Sequence, residues 1–212
     1  MKRTIFILAI SLIFYLQTNA QSIKETFDSN SLEWTECSFE SSAGRAIIDK
    51  GVMTVTSKGE KKGASLLLGA QVGVNTFFET HCYAPIDVKK PFKIKSKVKI
   101  QRLDADRIVG VVFNYRDGGN YYCMNFNDEM VSFLRYENNE LVGYIDQDVK
   151  WNDMKKTEQE WELISDGQII SFIVDGVQIM KVRYMPLEYS GFGYYTFGKQ
   201  KLIIDEVEFI QQ

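Results

Sequence analysis

The sequence predicts an all-β, two-sheet antiparallel sandwich. Three observations predict it: strict apolar–polar alternation in one nine-residue run, a series of Asp-Gly and Asn-rich turns, and near absence of helical periodicity. In Phe92–Ile100, Phe92, Ile94, Val98 and Ile100 share one face, and Lys93, Lys95, Lys97 and Lys99 share the other. Side chains alternate across a strand, so this run has one side in the core and one in water. The lysine row reads as a solvated face or an edge guard before it reads as a polysaccharide site.

The turns come next. Asp117-Gly118-Gly119-Asn120 separates run 108–115 from 121–126, and Glu137-Asn138-Asn139-Glu140 separates 131–136 from 141–145. Asp166-Gly167 and Asp175-Gly176 divide 161–164, 168–174 and 177–182. Asp-Gly tolerates the positive φ angles of a tight hairpin, so these runs form antiparallel hairpins and not βαβ units. Runs 51–57, 65–68, 76–83 and 201–210 read as further strands, and only 153–160 has helical composition. About fourteen short strands favour two packed sheets over one.

The first twenty residues predict the compartment. Lys2 and Arg3 precede an apolar run from Ile5 to Leu16, and Thr18-Asn19-Ala20 supplies small residues at the positions a signal peptidase reads. Cleavage is expected before Gln21, leaving one domain over 21–212 that is secreted or periplasmic. The chain carries 25 basic and 28 acidic residues; without Lys2 and Arg3 the balance is 23 against 28, or −5. That charge disfavours nucleic acid and anionic membranes as partners. No run approaches the length of a transmembrane helix.

Catalytic constellations are sparse. Cys37, Cys82 and Cys123 allow at most one internal bridge, and their pairing stays open. His81 is the sole histidine, and Cys82 beside it points to the opposite strand face, so the two cannot cooperate directly. Asp205-Glu206-Val207-Glu208 is the nearest carboxylate cluster, with Val207 and Phe209 claiming the core side.

Several short motifs occur in a shared order: Gly110-Val-Val-Phe-Asn-Tyr-Arg116, Gly119-Asn-Tyr-Tyr122, Trp161-Glu-Leu-Ile164, Ile170-Ser-Phe-Ile-Val-Asp-Gly176, Gly191-Phe-Gly-Tyr-Tyr195 and Ile204-Asp-Glu-Val207. Over about residues 92–210 this order resembles the concanavalin A-like lectin/glucanase superfamily. Within it, LamG-like and 3-keto-disaccharide hydrolase-type domains are the nearest likeness. The resemblance implies a jelly roll whose concave face often binds carbohydrate. It also implies that a structural calcium between first and last strands would draw ligands from Asp205 with Glu25 or Asp28. The Glu-x-Asp-x-x-Glu motif of the superfamily's glucanases is absent.

Strand parity then nominates a site. Tyr122, Met124 and Phe126 face the core, as do Val111, Phe113 and Tyr115; Asn114 and Arg116 share the outward face with Tyr121 and Asn125. Flat rings, amides and a guanidinium suit a sugar, and Trp151 adds a platform. The leading expectation is a secreted non-catalytic carbohydrate-binding module. The alternatives are a glycan-active hydrolase of the 3-keto-disaccharide type and a periplasmic or surface protein-interaction domain.

Overall fold

The computed structural model describes residues 21–35, 44–58, 77–101, 107–149 and 157–212. Trp151, Cys37 and run 65–68 lie outside the described residues. So does the first half of run 153–160; its last residues, Glu158 to Glu160, are strand and not helix.

The described residues form fourteen strands: β1 Gln21–Glu25, β2 Gly44–Asp49, β3 Val52–Lys58, β4 Phe77–Tyr83, β5 Phe92–Ile100, β6 Ile108–Asp117, β7 Asn120–Phe126, β8 Met130–Glu137, β9 Glu140–Asp148, β10 Glu158–Ser165, β11 Ile169–Val174, β12 Val177–Arg183, β13 Gly191–Phe197 and β14 Lys199–Gln211. One sheet runs β12-β11-β10-β5-β14-β3-β2, with β1 added alongside β14. The other runs β4-β13-β6-β7-β8-β9. All pairings are antiparallel, and all four expected hairpins form. Positive φ at Asn138 (53°) and Asn139 (67°), and at Asp175 (48°) and Gly176 (79°), is the backbone that two-residue hairpins require.

The two sheets bury one core between them. Trp161, Phe126, Phe172, Tyr194 and Phe192 interlock mostly edge to face, with centroids 5.4–6.3 Å apart. The Tyr194 phenol donates to Ser96 Oγ at 2.7 Å, so its burial leaves no phenol unpaired.

The lysine row is neither an edge guard nor a free cationic face. β5 is central in its sheet, between β10 and β14. Its lysines meet carboxylates on both sides: Lys93 with Glu162 at 2.9 Å, Lys99 with Glu158 at 2.9 Å, and Lys97 with Glu206 at 3.5 Å. These pairs match the strand faces in charge, and such exposed pairs contribute modestly.

Glu25 closes the start of the fold. Its carboxylate is buried and accepts from Phe27 N (2.9 Å), Ser31 Oγ (2.5 Å) and Leu32 N (3.2 Å). This holds the 26–35 turn, where Phe27 and Glu33 take positive φ. The turn inserts Trp34 beneath β13, stacked on Tyr194 at 5.7 Å, and lays Thr35 against β4.

Candidate functional site

The carboxylates named for calcium, Asp205 with Glu25 or Asp28, do not form a group of three. Glu25 is committed to the 26–35 turn and pairs with Val207 on the core side. Asp205 sits at a bulge in β14 and is exposed, lining an outer groove with Lys97, Lys99, Glu158 and Asp175. Asp28 accepts from Thr26. Among the described residues no group of three or more His, Cys, Asp or Glu side chains converges.

The candidate site is the outer face of the six-stranded sheet. Strand register lays its side chains in rows. One row reads Glu79, Tyr195, Gly110, Asn125, Ser132, Asp146; the next reads His81, Gly193, Val112, Cys123, Leu134, Tyr144. Tyr83, Tyr115, Tyr121, Tyr136 and Leu141 make a third. Val112, Tyr115, Tyr121 and Cys123 form a second apolar cluster here, separate from the inter-sheet core, with Leu134, Tyr136 and Tyr195 packed against it.

The parity expectation holds along β7 and fails within β6. Tyr121 and Asn125 lie on the outer face, and Tyr122, Met124 and Phe126 in the core. In β6 the alternation stops at Phe113, where the register shifts. Asn114 takes φ 47° and turns inward, 1% exposed, exchanging hydrogen bonds with the Tyr184 phenol at 2.7 and 3.1 Å. This bulge reverses the facing of the rest of the strand, so Tyr115 joins the outer face in place of Asn114. A bulge adds one residue to one strand, and every later side chain changes side. Arg116 leaves the face for the hairpin rim, where it lies over Tyr189 (5.1 Å) and pairs with Asp117.

Two glycines shape the β4-β13-β6 end. A Cβ on Gly193 would sit 1.9 Å from Thr80 O, and one on Gly110 would sit 2.1 Å from Met124 O. With Gly191 and Gly193 carrying no side chains on the strand between them, His81 of β4 and Tyr115 of β6 meet across β13, ring centroids 4.1 Å apart. The rings continue from Tyr115 to Tyr121 (5.9 Å) and Tyr136 (4.9 Å, stacked).

The polar groups are set into this aromatic tile. Glu79 is hydrogen-bonded to the Tyr115 phenol; burial raises its carboxyl above the usual range, partly offset by that bond. Burial also raises the phenols of Tyr115, Tyr121 and Tyr195, and pushes the Cys123 thiol up to about 12. Burial lowers His81, whose Nε2 lies 3.4 Å from Thr35 Oγ1. Glu79 Oε2 and His81 Nδ1 are both buried without a hydrogen-bond partner. Cys82 and Cys123 are free thiols on opposite faces of the sheet.

Glu79, Tyr136 and Tyr195 escape a parity reading confined to the hairpin 108–126. The signal for Glu79 and His81 is present in the sequence: they alternate with Thr80 and Cys82, so they share a face. What 76–83 pairs with cannot be read from spacing.

The fold is that of the concanavalin A-like jelly-roll sandwiches. A Bacillus licheniformis beta-glucanase is similar over 92% of this chain and 100% of its own, at TM-score 0.57 and 11% identity. The carbohydrate recognition domain of Emp47p is similar over 92% and 98%, at TM-score 0.59 and 10% identity. The CBM2 module of the evolved Dit of Lactobacillus casei BL23 phage J-1 is similar over 91% and 96%, at TM-score 0.57 and 10% identity. At these identities the likeness is one of fold. No protein-family model and no curated protein sequence matches the chain.

Proposed function

We propose that this is an extracytoplasmic glycan-binding protein that holds its ligand on the outer face of the six-stranded sheet and does not hydrolyse it. One observation carries the reading: a continuous run of rings, Tyr115–Tyr121–Tyr136, bordered by polar groups on a jelly-roll face. Ring faces stack on the C–H faces of sugars, and amide and carboxyl groups bond their hydroxyls. Two of the similar structures carry names that describe carbohydrate-recognising modules, which supports the reading.

Among the described residues, carboxylate placement argues against hydrolysis. Two-carboxylate mechanisms need the pair about 5 to 9.5 Å apart. In the row through Glu79 the next carboxylate is Asp146, five strands away, or about 24 Å at ordinary strand spacing. Asp146 is moreover engaged by Ser132 and Tyr144.

A glycan array on the purified protein, with calorimetry on the glycans it finds, tests the reading. Tyr136→Ala should weaken binding several-fold by removing a stacking surface worth on the order of 1 kcal/mol. Tyr144→Ala, at the exposed edge of the same face, should weaken it less. Unchanged affinity in both variants, with unchanged melting temperature, would move the site elsewhere; release of reducing ends from a bound glycan would make the protein an enzyme. Export is part of the proposal: mass spectrometry of secreted material should find Gln21 at the N-terminus, and finding residues 1–20 intact would overturn it.

A further inference from the structure

We propose that the ligand carries a free, positively charged amine, and that Glu79 and His81, backed by the tyrosine tile, receive it. The inference rests on the glycan-binding reading and narrows its ligand to amino sugars that are not N-acetylated.

Two atoms on this face are orphaned. Glu79 Oε2 and His81 Nδ1 are buried and unpartnered, and they lie two residues apart on one face of β4. A carboxylate oxygen accepts hydrogen bonds. In the tautomer that carries its proton on Nε2, 3.4 Å from Thr35 Oγ1, Nδ1 of the imidazole accepts as well. Two unpaired acceptors on one strand face, two residues apart, call for a group with several donors, and an ammonium has three. Leaving buried acceptors unpaired is costly, so a fold that retains two together gains from a ligand that fills them.

The surroundings select a cation over a neutral donor. Among the described residues no lysine or arginine forms an ion pair with Glu79. Among the described residues, the titratable groups that its charge reaches are neutral phenols and a thiol: Tyr115 on β6, Tyr121 on β7, Tyr195 directly opposite on β13, and Cys123. The faces of phenol rings carry negative potential, and a cage of such rings with one carboxylate is a cation's environment. Burial favours the neutral carboxyl; a sugar hydroxyl would satisfy Oε2 alone, whereas an ammonium would also stabilise the carboxylate form. Entry requires the Tyr115 ring to turn away from His81, which opens their 4.1 Å contact.

The test is an array of matched glycan pairs that differ only in free amine against N-acetyl, with calorimetry on the best pair. The free-amine member should bind about tenfold tighter or more, and Glu79→Gln should erase that preference. Equal affinity within pairs, or a preference that survives Glu79→Gln, overturns the inference and leaves the glycan reading standing. Methylammonium, which keeps the three N–H donors, separates the two ideas further. If it perturbs tyrosine absorption in the wild type but not in Glu79→Gln while no glycan binds, the cation site stands and the glycan reading falls. If neither it nor any glycan binds, both fall.

Discussion

Gly193→Ala is expected to abolish the folded protein or to leave it melting far below the wild type. β13 is hydrogen-bonded on both sides, to β4 and to β6, so it has no free edge toward which to move. The added Cβ would lie 1.9 Å from Thr80 O and 2.8 Å from His81 Cα. Both are backbone atoms, and no rotamer change relieves the clash. The strands would have to part by more than an ångström, breaking ladder hydrogen bonds and opening the core under Tyr194. The cost should exceed about 4 kcal/mol, at the far end of what single substitutions do. Gly118→Ala is the control: its Cβ would meet nothing within 4 Å, and its stability should change by less than about 0.5 kcal/mol. Thermal melts of the three proteins decide the matter. A Gly193→Ala variant that melts like the wild type would show that the strand approach at β13 is looser than these distances.

Asn114→Ala should cost roughly 2 to 4 kcal/mol, and it should do so through the bulge. The side chain is fully inside and exchanges two hydrogen bonds with the Tyr184 phenol, each contributing about 1 kcal/mol net. Its φ of 47° adds about 1 to 2 kcal/mol of strain for alanine that asparagine largely tolerates. For a domain of this size each kcal/mol lowers the melting temperature by about 2 to 4 °C. Asn114→Gly keeps the backbone and loses the bonds, so it should fall between alanine and the wild type. The bulge also turns Tyr115 onto the outer face, so Asn114→Ala should change the near-ultraviolet circular dichroism of the tyrosines. Equal melting of the alanine and glycine variants would remove backbone strain from the account. No loss in either would mean that Asn114 does not pin the bulge.

Much of the fold was legible for a local reason. Alternation in β5 and the turn residues at 138–139, 166–167 and 175–176 act within a few residues, and the structure places strands and hairpins there. The motif order that suggested a concanavalin A-like sandwich reflects the same local chemistry arranged along the chain. The site was half legible. Tyr121 and Asn125 come from parity because β7 alternates without interruption. Asn114 does not, because a bulge depends on the partner strand and on Tyr184, seventy residues away. Nor was Tyr121, only 8% exposed, foreseeable as part of a packed outer cluster; its neighbours Tyr115 and Tyr136 arrive from different strands.

The lysine row shows the same distinction. Its facing direction was set by alternation alone, but its role was not. Only sheet order puts β5 between β10 and β14, where glutamates answer the lysines. Likewise the turn that Glu25 holds and the bulge at Asp205 are not legible in the sequence, because each depends on partners beyond the neighbouring residues. By itself, then, the sequence determined strand positions, hairpin turns and most facing directions, since these depend on backbone preferences and neighbours in the chain. Tertiary structure alone decided which strands lie side by side, where a bulge reverses a face, and that Glu79, His81 and four tyrosines from four strands meet on one surface. Those outcomes depend on contacts between residues far apart in sequence, whose closing no local pattern encodes.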